Sequence, residues 1–68
     1  MKNNVKAKRK AKGLTQEELA IQLSVSRQTI ISIESGRYVP STVLSLKIAK
    51  FLEKNVEELF ILDQNDFN

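Results

Sequence analysis

Cysteine and histidine are both absent from this 68-residue chain, and their absence removes most site chemistry at once. Disulfides cannot form, and the usual zinc ligand sets cannot be assembled. A Ser-His or Cys-His nucleophile is equally excluded. The carboxylates stand mainly at helix caps and in the tail, so the chain is read as a non-enzyme with no catalytic residue, metal or cofactor. No apolar run approaches the ~20 residues of a membrane span. The stretch MKNNVKAKRKAKG carries charge but no apolar core, unlike a secretory signal. A soluble, cytoplasmic protein with no membrane partner is expected. Long β-branched alternation is also missing, as are internal repeats, low-complexity tracts and linkers. The reading is one domain over residues 1–68, with 61–68 a short acidic tail. A chain this short buries only about 60% of its extended surface, so its stability is modest and dimerisation would add to it.

What is present is lysine, and it is unevenly spread. Residues 1 to 50 hold ten Lys or Arg against three Glu, a net of +7; residues 51 to 68 hold Lys54 against five acids, a net of −4. A basic body suits a polyanion, and an acidic end would point away from it. The plainer explanation is that lysine is a common surface residue in small proteins.

Helix signals recur along the chain. Asn3 or Asn4 can cap a first helix that runs to about Lys12 and stops at Gly13. Its apolar content is poor, so Val5, Ala7 and Ala11 must dock on other helices for it to form. Thr15 and Glu18 make a capping box for the second helix, with Leu14 and Leu19 placed as a hydrophobic staple. Ser26 caps a third helix, stapled by Val25 and Ile30 and stopped by Gly36. Only about three residues, Ser24 to Ser26, separate these two helices, which is the connection length of a helix-turn-helix. Ser41, just after Pro40, caps a fourth helix to about Leu52, with a stripe of Leu44, Ile48 and Leu52; Lys47 and Lys50 are expected to face water. Asn55 with Glu58 is a further capping box and opens a short fifth helix with Val56, Leu59 and Phe60. The fold class is therefore all-α, a compact five-helix unit.

The third helix has two faces by the helical spacing of three and four. Ile30, Ile33 and Glu34 form the buried stripe, and Arg27, Gln28, Ile31, Ser32 and Ser35 the other side. Arg can donate two bonds to guanine, and Gln can pair with the donor and acceptor of adenine. Ile31, one turn beyond Arg27, could touch a thymine methyl. From spacing alone, an ordinary solvated face with one exposed isoleucine reads about as well.

The run GLTQEELAIQLSVSRQTIISIESGRYVPS resembles the helix-turn-helix of the phage-repressor and Cro family. The likeness extends to VKAKRKAKG before it and LKIAKFLEKNVEELF after it, roughly residues 5 to 60. Three positions depart from the family pattern: Ser24 and Glu53 stand where glycine is frequent, and Thr42 where an apolar residue is usual. Ser24 suggests a slightly different turn.

The resemblance implies a lambda-repressor-like DNA-binding domain acting on double-stranded DNA as a homodimeric repressor with an inverted-repeat operator. Carried over by motif, Arg27, Gln28, Ile31 and Ser32 would contact bases. Thr15, Gln16, Ser26, Arg37, Tyr38 and one of Lys8 or Lys10 would contact the DNA backbone. The lysine-rich amino end also reads as a solvated segment, and Tyr38 as a ring over the edge of the core. The resemblance further implies an ion pair of Arg9 with Glu34 joining the first helix to the third, each charge standing at the edge of an apolar stripe. It implies dimers joined near the fifth helix. Apolar residues there exceed what one stripe needs, so Val56, Ile61, Leu46 and Leu62 are the expected contact, with Phe60 a candidate for the core instead. A rival reading is an antitoxin-like module whose main ligand is another protein, which leaves a regulatory protein partner open.

Overall fold

The computed structural model describes residues 1–68, and its order of elements is β1 (Lys2–Asn3), α1 (Val5–Ala11), α2 (Gln16–Leu23), α3 (Arg27–Glu34), α4 (Thr42–Leu52), α5 (Val56–Leu59), β2 (Phe60–Ile61) and a final 3-10 turn (Gln64–Phe67). Local chemistry sets most of these boundaries. The Thr15 hydroxyl accepts from the Glu18 N–H at 3.0 Å, and the Glu18 carboxylate accepts from the Thr15 N–H at 2.8 Å. These bonds occupy two donors that would otherwise be orphaned at the start of α2. Ser26 and Ser41 accept from the Thr29 and Leu44 N–H groups in the same manner. At α5 the Glu58 carboxylate accepts from the Asn55 N–H, while the Asn55 carbonyl takes the Glu58 N–H.

Ser24 corrects one expectation. It adopts the left-handed conformation, φ 57°, and ends α2 as a glycine would, so the turn keeps its shape at a cost in strain. Glu53 does the same at φ 58° after α4.

Eleven buried apolar residues make one core, led by Val5, Leu19, Ile30, Ile33, Ile48 and Leu59. Each of the larger side chains, the two alanines apart, contributes about 1.5–3 kcal/mol by leaving water. Ala7 and Ala11 do not join them; both are exposed, and Val5 with the Arg9 stem forms the docking face of α1. Phe60 is core. Lys47 does more than face water: its Nζ donates to the Leu23 carbonyl at 3.1 Å, satisfying the carboxyl end of α2 with a cation. No helix is long and apolar enough to cross a membrane.

The all-α expectation is also corrected. Lys2–Asn3 pairs antiparallel with Phe60–Ile61, in the register Lys2 to Ile61 and Asn3 to Phe60. Two-residue strands are too short to show an alternating pattern, so no sequence period announces them. Neither candidate cap holds α1 as foreseen. Asn4 occupies the cap position but its side chain donates to the Glu58 carbonyl, and Asn3 accepts from the Val5 N–H while donating to the Ile33 carbonyl at 2.9 Å. The two asparagines thus tie the first strand to the carboxyl ends of α3 and α5.

Candidate nucleic-acid interface

The geometry begins with the three-residue turn Ser24–Ser26, which hands the chain from α2 to α3. Ile30 and Ile33 fix the inner side of α3 in the core, and that anchoring leaves Arg27 and Gln28 exposed in its first turn. Ser32 is half-buried. So is Ile31, which lines neither of the hollows that flank the helix. One hollow, of about 360 Å³, is lined by Ser26, Gln28, Thr29, Ser32 and Tyr38. The other, of about 470 Å³, is lined by Arg9, Thr15, Gln16, Glu17 and Arg27. The first turn of α3 stands between them.

The loop after α3 is pinned to the helix. The Ser32 carbonyl accepts from the Arg37 and Tyr38 N–H groups at 3.0 and 3.2 Å and from the Ser35 hydroxyl at 3.0 Å. Gly36, at φ 81°, supplies the left-handed reversal that this closure needs. Tyr38 is thereby carried to the rim of the first hollow, beside Gln28 and Ser32. Arg37 is exposed.

Beneath the second hollow lies a buried network. Arg9 Nε donates to Glu34 Oε2 at 2.7 Å and Nη2 to Oε1 at 3.2 Å, a bidentate fork. Arg9 Nη1 also donates to the Leu14 carbonyl at 2.6 Å. The Arg9 side chain is 7% and the Glu34 side chain 4% exposed. Gln16 joins them, its Nε2 donating to Glu34 Oε1 at 3.1 Å. The amide orientation is dictated chemically, because only the NH₂ end can face a carboxylate. Gln16, expected to reach outward, is therefore anchored inward by one of its two N–H groups.

Other expected residues lie elsewhere. Lys8 lines a separate hollow with Ala11, Lys12, Leu52, Glu53 and Lys54, and shares no residue with the two around α3; Lys10 is exposed. Leu46, Ile61 and Leu62 are 56%, 42% and 60% exposed, whereas Val56 is half-buried against the core. Three carboxyls are held below their ordinary range, none of them in either hollow. Glu18 is lowered by the Thr15 N–H and hydroxyl, Glu53 by the Lys12 ammonium, and Asp66 mainly by the Asp63 N–H. No three Asp or Glu side chains converge as a metal-binding group.

Sequence reasoning missed two lining residues. Thr29 shares a hydrogen bond with the Ser26 hydroxyl at 2.9 Å on the wall of the first hollow; its three-residue spacing from a capping serine was the available signal. Glu17 puts a carboxylate in the second hollow, and its place beside Gln16 in the first turn of α2 was the corresponding one.

The chain is similar to known proteins. A family model described as helix-turn-helix matches residues 5–59. An uncharacterized HTH-type transcriptional regulator of Methanocaldococcus jannaschii is 52% identical over 66 residues, covering 97% of this chain and 100% of that protein. A second such regulator, from Methanothermobacter thermautotrophicus, is 48% identical over 66 residues, with 96% of each chain covered. Among solved structures, the restriction-modification controller protein C.AhdI from Aeromonas hydrophila is similar with a TM-score of 0.75 and 38% identity, over 82% of this chain and 85% of that one.

Proposed function

The chain belongs to the helix-turn-helix family of transcriptional regulators, of the phage-repressor and Cro type, and from that premise we propose that it is a sequence-specific repressor acting as a homodimer on an inverted-repeat operator in the cytoplasm. The observation that carries the reading is the exposed first turn of α3, with Arg27 and Gln28 set between two polar hollows. In the major groove Arg27 takes a guanine and Gln28 an adenine, each pair contributing about 1–3 kcal/mol of discrimination. Ser32 adds a contact from the next turn. Ile31 reaches a thymine methyl with the outer part of its half-buried side chain.

Backbone contacts surround this centre. Thr15 and Gln16 offer the amino end of α2 to one phosphate. Ser26, Arg37 and Tyr38 serve the other side. Lys10 is the backbone contact of α1 in this reading; the separate hollow around Lys8 argues against that residue.

The second copy docks on the carboxyl-terminal third. Leu46, Ile61 and Leu62 are exposed apolar residues, and Val56 lies half-buried beside them in sequence. Burying them across a two-fold axis sets two α3 helices about 34 Å apart, so half-site centres lie some 10 bp apart or a multiple of that.

Selection of bound duplexes from a random pool tests the reading. Wild-type protein should enrich an inverted repeat. Arg27→Ala and Gln28→Ala should each relax one position of the half-site. An unchanged selected sequence in both variants, or no enrichment by the wild type, would overturn it.

A further inference from the structure

We propose that Glu34 is a positioning residue for DNA binding, holding the Gln16 amide in place to receive a phosphate in the second hollow; this rests on the DNA-binding reading above. Glu34 lines neither of the two hollows beside the first turn of α3, only a separate one at the helix's carboxyl end, and so does not itself touch an anion bound beside Arg27. It acts through Gln16. Its Oε1 accepts one N–H of the amide at 3.1 Å, while Gln16 itself lines the hollow with Thr15 and Arg27. The second N–H of that amide has no protein partner, and an NH₂ group held by one proton directs the other at a fixed angle.

The carboxylate that does this is itself held at both oxygens. It sits beside the core, gripped by the Arg9 fork from the first helix, with its side chain 4% exposed. One ion pair therefore supports two things: the docking of α1 on α3, and the orientation of a side chain at the amino end of α2. A glutamine free to rotate would lose rotamer entropy on binding; an anchored one has already lost it on folding. Immobilising one such side chain costs an affinity factor of roughly 2- to 12-fold.

Shortening the carboxylate separates the two roles. In Glu34→Asp the long Arg9 side chain can follow and keep the charge pair, but the amide of Gln16 is left behind. With the duplex selected by the wild type, and with affinities corrected for the folded fraction seen by circular dichroism, Glu34→Asp should weaken binding roughly 2- to 12-fold. In a Gln16→Ala background the same substitution should cost less than about twofold, the scatter expected of independent sites. A purely structural carboxylate would cost the same in both backgrounds, and that result, or no loss in either, overturns the proposal while leaving the DNA reading intact. Absence of any duplex binding by the wild type overturns both. A measurement on the unmodified chain covers the case in which Glu34→Asp does not fold. Nitrogen-15 relaxation of the Gln16 side-chain amide in the free protein should report order close to that of rigid backbone; an order parameter under about 0.6 would overturn the anchoring.

Discussion

Replacing both Arg9 and Glu34 by methionine should harm the fold far less than replacing either one. The Arg9 and Glu34 side chains are 7% and 4% exposed, and two charge-assisted bonds at 2.7 and 3.2 Å join them. Arg9→Met leaves a carboxylate in the core with only the Gln16 amide as donor; Glu34→Met leaves a guanidinium with only the Leu14 carbonyl. Removing one member of a buried pair costs about 3–5 kcal/mol, because the survivor keeps its desolvation penalty. A chain of this length has total stability on the order of 3–10 kcal/mol, so each single variant should lose about a third of it or more at 25 °C. The double variant carries no orphaned charge and fills the same space, and such exchanges are often neutral or stabilising. What it still loses is the partner of Gln16, worth about 1 kcal/mol, while the half-buried Leu14 carbonyl can turn to water. Urea unfolding followed by circular dichroism at one fixed protein concentration measures all four members of the cycle; the concentration is fixed because subunit association also moves the midpoint. With single losses of about 3–5 kcal/mol each and a double loss of about 1 kcal/mol, the coupling should be about 5–9 kcal/mol, above the 0.5–3 kcal/mol usual for contacting groups. Single and double losses that simply add would show that the two charges do not depend on each other, and would refute the argument.

Four other outcomes are expected. Ser24→Gly should raise the unfolding free energy by about 0.5–1 kcal/mol, since relief of left-handed strain exceeds the extra entropy of an unfolded glycine; a lower melting midpoint would contradict it. Arg37→Ala and Lys10→Ala should weaken all duplexes alike and each lower the slope of log affinity against log salt by up to about one unit, and an unchanged slope would remove that residue from the phosphate contacts. Ile61→Asp should shift sedimentation from dimer to monomer and weaken operator binding with helical content retained; a wild-type chain that stays monomeric at high micromolar concentration counts against the interface. Glu18, Glu53 and Asp66 are all held below their ordinary range by native partners, so their contribution to stability should be fully present only above the ordinary glutamate value of 4.5 and fall as acid protonates them; thermal midpoints flat from pH 5 to pH 2.5 would contradict this.

The parts of the fold legible in the sequence are those written in side chains close along the chain. Thr15 with Glu18, Ser26 before Arg27 and Ser41 after Pro40 each announce a helix start within four residues, and the structure has those starts. The parts that were not legible depend on distant segments. Asn3 and Asn4 read locally as caps, and only the arrival of Ile33, Glu58 and Phe60 turns them into ties between the first strand and two helix ends. Lys47 reads as a surface lysine because nothing nearby shows that the last turn of α2 offers it the Leu23 carbonyl. Ser24 is instructive in the other direction. Serine is a poor left-handed residue, which suggested a reshaped turn; the packing of α2 on α3 instead holds the turn and tolerates the strain.

The candidate site divides along the same line. That Arg27 and Gln28 are exposed follows from helical spacing once Ile30 and Ile33 are buried, so a single helix suffices to place them. The second hollow belongs to no single helix. It needs Arg9 from α1, Thr15, Gln16 and Glu17 from the start of α2, and Arg27 from α3. Those three elements are held in register by a carboxylate that lines neither of the two hollows beside the first turn of α3. In a core of eleven apolar residues, a buried fork of charge is a poor source of stability compared with methionine or leucine of equal volume. Its presence is explained if the same carboxylate also fixes Gln16 at the surface: the free energy forgone in the core is then recovered on binding, as rotamer entropy that the complex no longer has to lose. On this account a variant with an all-apolar core should fold well and bind poorly.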